Sequence, residues 1–411
     1  MTDPLTPDRS KSAEVVPKVP AGDPANPGRW DWNRARREKP PLLHPLGGAD
    51  LDTFLAHLRV AEGQVSPQTF WQRLIALSVV ISRVPLSGWD KVRWSEEIRN
   101  TRVDPAPIFI VGHWRSGTTL LHQLMSRDPR FCYPDFGQIA APNDILGWIQ
   151  HLYRYLISQI LPADRGYDRV KLDLNAPQEE EIALAGLNPL SYYRAYYFPS
   201  EMTRHFDESV LFKGVEPREK EDFEHAYVTL AKTLTLASGG RRLLFKNPSS
   251  TARLALLKAA FPGAKFIYIH RNPYEVFCSS LSRYPRLMAA FAWQSYEGID
   301  YREMVFYKYS ELLRSYLAQV ESIPETDRVE TSFEAVTSRP EVEIRRIYTH
   351  LGIEGIEGAT KAMSPYFEQM RNYERNRHEI RREDVERIRR DWQFSLERWP
   401  YDFPQSLKAT C

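Results

Sequence analysis

The sequence predicts an α/β fold: a parallel sheet flanked by helices, preceded by a helical segment and a disordered tail. Three short apolar runs carry this prediction, because each enters a polar loop and then a helix. The first run, Pro107 to Val111, opens on a glycine-containing loop and a helix over Thr118 to Ser126. Leu243 to Phe245 leads through Lys246, Asn247 and Pro248 into a helix starting near Ser249. Lys265 to His270 leads through Arg271 and Asn272 into a helix with Pro273 in its first turn, where a missing N–H costs nothing. Runs this short and this apolar suit strands buried on both faces. Arg328 to Phe333 is a fourth strand candidate, and a long helical stretch covers about Leu287 to Ser322. Upstream, Leu51, Phe54, Leu55 and Leu58 recur at helical spacing. Further helices are expected over about Gln68 to Arg83 and Trp89 to Ile98. Residues 1–48 are rich in Pro and poor in periodic apolar positions, which predicts disorder. The expected organisation is therefore a tail over 1–48, a helical appendage over 49–104 and a main domain over 105–403.

Charge narrows the function. Lys+Arg total 55 and Asp+Glu 53, a net charge of +2 over 411 residues. Nucleic-acid binding at large would show a basic excess, so no nucleic-acid partner is expected. Such a sum says nothing against a small anionic ligand held by a local cluster. Cys132, Cys278 and Cys411 are too few and too scattered for a disulfide framework or a metal motif. The N-terminus lacks a signal-peptide core, and the longest apolar stretch, Leu74 to Ile81, is far below the roughly 20 residues a spanning helix needs. A cytoplasmic protein is expected, with peripheral membrane contact left open. The charge-dense run Arg375 to Arg390 reads as a solvated helix face, with Glu383/Arg387 and Glu386/Arg390 at i,i+4.

Gly112-His113-Trp114-Arg115-Ser116-Gly117-Thr118-Thr119 is the most informative segment. Its glycines have the G-x4-G spacing of a phosphate-binding loop, and Thr119 takes the hydroxyl place. Glycines let such a loop wind with its N–H groups inward, and the helix N-terminus adds its positive end. The fold is therefore a P-loop-like parallel sheet. The departure is Thr118, where a nucleoside triphosphatase carries Lys. Without that Lys, and without an evident acidic Mg²⁺ ligand, kinase chemistry loses two of its parts. The cation has moved to Arg115, so the loop suits an anion shorter than a triphosphate. Downstream, Arg271 follows the end of a strand and Ser279 lies eight residues later on the next helix. Ligands of open α/β sheets bind outside the carboxyl ends of the strands. A guanidinium and a hydroxyl there make a phosphate pair, although Arg271 could equally cap the helix or pair with Glu275.

FIVGHWRSGTTLLHQLM followed by FPGAKFIYIHRNPYEVFCSSL resembles the PAPS-dependent sulfotransferases, in the branch with Arg in the loop that includes bacterial, carbohydrate and tyrosylprotein enzymes. The resemblance runs from Pro107 to Tyr401 and takes in PQEEEIALAGL, FKNPSS and RVETSFEAVTSRPEVEIRRIYTHLGI. It implies a co-substrate, 3′-phosphoadenosine 5′-phosphosulfate (PAPS). The 5′-phosphosulfate would sit on Arg115, Ser116, Gly117, Thr118 and Thr119, and the 3′-phosphate on Arg271 and Ser279. No metal is implied.

In-line sulfuryl transfer develops charge on the leaving phosphate, and a positioned cation stabilises it. Arg115 is the first candidate and Lys246, at the end of a strand, the second. An acceptor hydroxyl needs a base. Many relatives carry a His shortly after the Lys of the FKNPSS segment, and here Asn247, Pro248, Ser249 and Ser250 stand instead. Glu179 and Glu181 lead the candidates, with Asp135 as runner-up. The acceptor could be a glycan, a lipid or another hydroxyl-bearing small molecule. Tyr192, Tyr193, Tyr196, Tyr197 and Phe198 would line its pocket or pack the core. The missing His leaves a second reading, a non-catalytic nucleotide-binding or scaffold protein on the same fold. A P-loop kinase is the weaker alternative.

Overall fold

A computed structural model describes residues 44–61, 65–160, 173–371 and 378–410. The expected tail falls almost wholly on residues 1–43, outside that set. The chain packs from His44 onward: Leu46 is fully buried and the His44 ring stacks on Trp293 with 4.1 Å between centroids.

The main sheet has strands β1 (Ile108–Val111), β2 (Phe131–Cys132), β3 (Arg242–Lys246), β4 (Lys265–His270) and β5 (Arg328–Ser332). Their order is β2-β3-β1-β4-β5, and every pairing is parallel. All four residues of β1 are buried, as its unbroken apolar run requires. Side chains alternate between two cores. Phe109, Phe245, Phe266 and Tyr268 enter one, whereas Ile108, Ile110, Leu244, Ile267 and Ile269 enter the other. β1 is central, with β3 and β4 on its two sides, so the chain switches its direction of winding there. The crevice outside the carboxyl ends of β1, β3 and β4 is the expected ligand position for such a sheet. Four of the five strands match the sequence-based expectation. β2, two residues long, is too short for any periodicity to mark.

The N-terminal helices are α1 (Leu51–Val60) and α2 (Phe70–Asn100). Phe54, Ala76 and Val80 belong to the same core as β1 and β3. α2 is also one helix where two were expected, running through Pro85 and Gly88. A buried clamp explains its continuity. Arg83 Nε and Nη2 donate to Asp144 Oδ2 at 2.9 and 2.5 Å, and Ser87 Oγ donates to Asp144 Oδ1. The two donors flank Pro85 one turn apart, so a single carboxylate ties the turn that proline would otherwise open.

The remaining helices that position the site are α3 (Thr118–Met125), α4 (Ile149–Ile160), α5 (Glu180–Ala185), α6 (Pro273–Phe291) and α7 (Tyr301–Val320). The charged C-terminal run differs from the expected single helix. Its described part is a strand, β6 (His378–Arg381), followed by α8 (Arg382–Asp391). β6 pairs in parallel with β7 (Leu407–Thr410). The charges serve tertiary contacts: Arg387 grips Glu303 of α7, and Glu383 takes Arg302 Nη1 at 2.6 Å. Meanwhile Val385, Ile388 and Trp392 enter the main core.

Candidate active site

The loop between β1 and α3 needs glycine at both ends. Gly112 has φ 147°, and a Cβ there would lie 2.3 Å from the Ile269 carbonyl oxygen. Gly117 has φ 103° and caps α3, and its Cβ would meet the Phe333 ring at 2.6 Å. Between them Arg115 adopts φ 73°, a left-handed conformation rare for a residue with a side chain. Strain of this kind persists where the surroundings fix it, and here they do. Arg115 Nε donates to Ser279 Oγ at 2.8 Å, and Arg271 Nη1 donates to the Arg115 carbonyl at 3.3 Å. Ser116 Oγ and N both donate to the His113 carbonyl, closing the turn. The loop opens directly onto the N-terminus of α3, the end of a helix that favours an anion.

Arg115 links the two predicted anion sites through its contacts with Ser279 and Arg271. Arg271 lies just past β4, at the mouth of the crevice. Its Nε and Nη2 bind Glu275 Oε2 at 2.9 and 2.7 Å, and its guanidinium lies 4.3 Å above the Phe333 ring. The pairing with Glu275 and the approach to the loop coexist, so the carboxylate aims the guanidinium at the Arg115 backbone. Ser279, two turns into α6, touches Arg115 directly.

Lys246, the last residue of β3, enters the loop from the other side. Its Nζ donates to Glu179 Oε1 at 2.5 Å and to Thr119 Oγ1 at 3.4 Å. The ammonium is buried, whereas the Glu179 side chain keeps 15% of its surface open.

The three consecutive glutamates have separate fates. Glu179 is the N-cap residue of α5, faces Lys246 and is the one of the three that contacts a cation touching the loop. Glu180 is fully buried: Tyr227 Oη donates to it at 2.5 Å and the Lys246 backbone N–H at 3.2 Å. Burial pushes its carboxyl up to about 7. Glu181 is also buried, which alone would raise it, but Arg253 Nη1 at 2.8 Å and Nη2 at 3.2 Å hold it below the ordinary range. Glu181 further accepts from Asn247, Ser191 and the Tyr192 backbone, so it ties β3 to α5. Asp135 caps the short helix Phe136–Ala140, and both its oxygens accept from Arg154 Nη1 at 2.8 Å.

His113 is buried and pushed down to about 3, chiefly by burial and by the charge of Lys308. Neutral, its Nδ1 bonds the Trp114 carbonyl at 2.7 Å and braces the loop. The aromatic cluster is mostly core, since Tyr192, Tyr193, Tyr196, Tyr197 and Phe198 are all buried.

One group escaped the sequence reading. A pocket beside Arg115 is walled by Trp114, Tyr196, Tyr284 and Leu287, and carries Arg283 and Lys308. Lys308 Nζ contacts the hydroxyls of Tyr192 and Tyr284, the latter at 2.9 Å, and lies 4.3 Å from the Trp114 ring centre. Burial and the nearby Arg283 push it well below the usual lysine range. A signal existed: Met304, Lys308 and Leu312 share one buried face of α7, so a lysine stands in an apolar stripe.

The sequence and the fold match a known family. A model of the sulfotransferase family matches residues 107–357. Omega-hydroxy-beta-dihydromenaquinone-9 sulfotransferase Stf3 of Mycobacterium bovis is 30% identical over 332 residues, which are 79% of this chain and 82% of its own. The Mycobacterium tuberculosis protein of the same name matches equally. Among solved structures, sulfotransferase STF9 from Mycobacterium avium superposes with a TM-score of 0.67 at 16% identity, covering 90% of this chain and 96% of that one. Sulfotransferase STF1 from Mycobacterium tuberculosis gives 0.58 at 16% identity, covering 82% and 88%. These two likenesses concern the fold. The chain belongs to the sulfotransferase family and is an enzyme that moves a sulfuryl group to an acceptor hydroxyl. No described helix is long and apolar enough to cross a membrane.

Proposed function

We propose that the chain takes its sulfuryl group from 3′-phosphoadenosine 5′-phosphosulfate and gives it to the hydroxyl of a long apolar alcohol of lipid character. The contact between Arg115 and Ser279 carries the donor half of this reading, because it joins the loop cradle to the Arg271 site. A ligand with anionic groups at two positions fits that donor set better than a triphosphate, for which Thr118 lacks the Lys ammonium. When bound, the nucleotide supplies a sulfuryl group attached to a phosphate that leaves. Arg115, Ser116, Gly117, Thr118 and Thr119 would hold its 5′ end, and Arg271 and Ser279 its 3′-phosphate. Lys246 and Arg115 supply positive charge where negative charge grows, in a crevice drier than bulk water. Glu179 takes the acceptor proton onto Oε1, and Lys246 holds that carboxylate in place. Glu181 and Asp135, engaged by Arg253 and Arg154, serve as scaffold.

The acceptor half rests on the relative that acts on an omega-hydroxylated menaquinone derivative. Residues 105–403 would carry the chemistry, with 49–104 completing the core beneath them. Two free, buried cysteines, Cys132 and Cys278, suit a cytoplasmic setting. The test is transfer of labelled sulfuryl from the nucleotide to an omega-hydroxylated prenyl alcohol. Turnover that falls about 10²–10⁴-fold in Glu179→Gln would support the assignment. Tight nucleotide binding without transfer to lipid, glycan or small alcohol would favour a non-catalytic role instead.

A further inference from the structure

Lys308 is a buried cation that the transfer chemistry leaves unused. It is 2% exposed, and its buried neighbours on α7 include Met304, Val305, Tyr309 and Leu312. Its Nζ contacts the hydroxyls of Tyr192 and Tyr284 and lies 4.3 and 5.6 Å from the ring centres of Trp114 and Phe206. Among the described residues no carboxylate pairs with it; hydroxyls and rings are its whole shell. A buried ammonium is costly unless a negative charge meets it. The pocket it lines repeats the imbalance. Arg115 enters from the loop after β1, Arg283 from α6 and Lys308 from α7, and no acidic residue is among the described lining. Ser280, the residue after the serine that holds Arg115, lines the same pocket. It is 6% exposed and its Oγ has no hydrogen-bond partner. A helical serine ordinarily returns its proton to a carbonyl one turn back, as Ser282 does to the Ser279 carbonyl at 2.9 Å. A buried hydroxyl that does not is satisfied by a group from outside. The enclosed space is about 10 Å³, which is room for one water-sized group. It admits a single oxygen rather than a whole sulfate or phosphate.

We propose that this pocket receives one oxygen of a carboxylate carried by the acceptor, so that the alcohol the enzyme sulfates is a hydroxy acid. Lys308 and Arg283 supply the countercharge, and Ser280 Oγ donates a hydrogen bond. Charge-assisted bonds of this kind are short and strong, and a carboxylate can take several at once. A neutral oxygen would satisfy Ser280 but leave the ammonium without a counter-charge. The pocket shares Arg115 with the loop that faces the nucleotide, so the acidic group lies beside the donor end of the crevice. Lys308 and Arg283 then select the acceptor and take no part in stabilising the leaving phosphate. The inference rests on the proposed function only for the source of the carboxylate, because a free small carboxylate has the same chemistry.

Nuclear magnetic resonance of the full-length chain labelled with ¹³C-lysine tests the pocket, the Lys308 side-chain signal being the one absent from Lys308→Met. Titration with acetate at constant ionic strength should move that signal to saturation, and acetamide should not. Ser280→Ala should weaken the acetate response about 3-fold or more. A Lys308 signal indifferent to acetate, or moved equally by acetamide, would overturn the proposal. Turnover then identifies the source, with an omega-hydroxy fatty acid compared against its methyl ester. The wild type should prefer the free acid by at least about 10-fold, and Lys308→Met should lose that preference while keeping its affinity for 3′,5′-bisphosphoadenosine. Equal rates on acid and ester, with acetate changing both, would assign the pocket to a free carboxylate and refute the acceptor-borne group. The Lys308 signal needs neither nucleotide nor turnover. A chain that binds acetate there yet sulfates no alcohol would refute the transfer reading and leave the carboxylate pocket standing.

Discussion

Lys246 ends β3 and Arg115 lies in the loop after β1, at the same carboxyl edge of the sheet, and each is fixed by a partner. Lys246 is held by Glu179 and Thr119, and Arg115 by Ser279 and by Arg271 beneath its carbonyl. Preorganised cations of this kind are worth about 10²–10³ in turnover each. Arg115→Ala and Lys246→Ala should each lower the turnover number by that factor in a labelled-transfer assay, with melting temperatures close to wild type. Full activity in either variant would remove its residue from the mechanism. The placement of Arg115, Lys246 and Arg271 at or just past the carboxyl ends of strands, and of Ser279 on the following helix, was legible in the sequence. The division of labour among Glu179, Glu180 and Glu181 was not. It depends on which neighbour each carboxylate meets, and Arg253 and Tyr227 stand 72 and 47 residues away in the chain from Glu181 and Glu180.

Elements locate these residues through buried polar ties that sequence periodicity does not display. Asp144 is one: it holds Arg83 and Ser87 across Pro85, and so keeps α2 whole where a break was expected. Asp144→Ala leaves the Arg83 guanidinium buried without its partner, and should cost about 3–5 kcal/mol of stability in chemical denaturation. Glu180 is another. Its carboxyl is pushed up from 4.5 to about 7 by burial. The folded chain therefore keeps a proton that the unfolded chain has already released. The stability this provides is present in full below pH 4.5 and disappears as pH rises through about 7. Across that window the loss is on the order of 3 kcal/mol. Denaturant titrations at a series of pH values should show Glu180→Gln lacking this decline, and parallel curves for the two proteins would contradict it. Strands β1, β3 and β4 were readable because unbroken apolar runs announce burial on both faces, whereas β5 buries only alternate residues, Val329 and Thr331. β6 and the core residues of α8 were hidden inside a charged run, where Ile380, Val385 and Ile388 are outnumbered by arginines and glutamates that pair with α7 and their own helix.

The whole molecule resolves a puzzle left by its charge. A net charge of +2 signals no anionic partner, yet Arg115, Lys246 and Arg271 converge at the switch point of one sheet. The N-terminal helices complete the core below that crevice. The central claim is that the crevice holds a nucleotide phosphorylated at both its 3′ and 5′ positions. Calorimetric titration of the wild-type chain with 3′,5′-bisphosphoadenosine, 5′-AMP and Mg-ATP tests it most directly. The bisphosphate should bind at least about 10-fold tighter than either competitor, a difference of about 1.4 kcal/mol or more, and Arg271→Ala should erase the margin over 5′-AMP. Equal affinity for 5′-AMP, or tighter binding of Mg-ATP, would contradict the account.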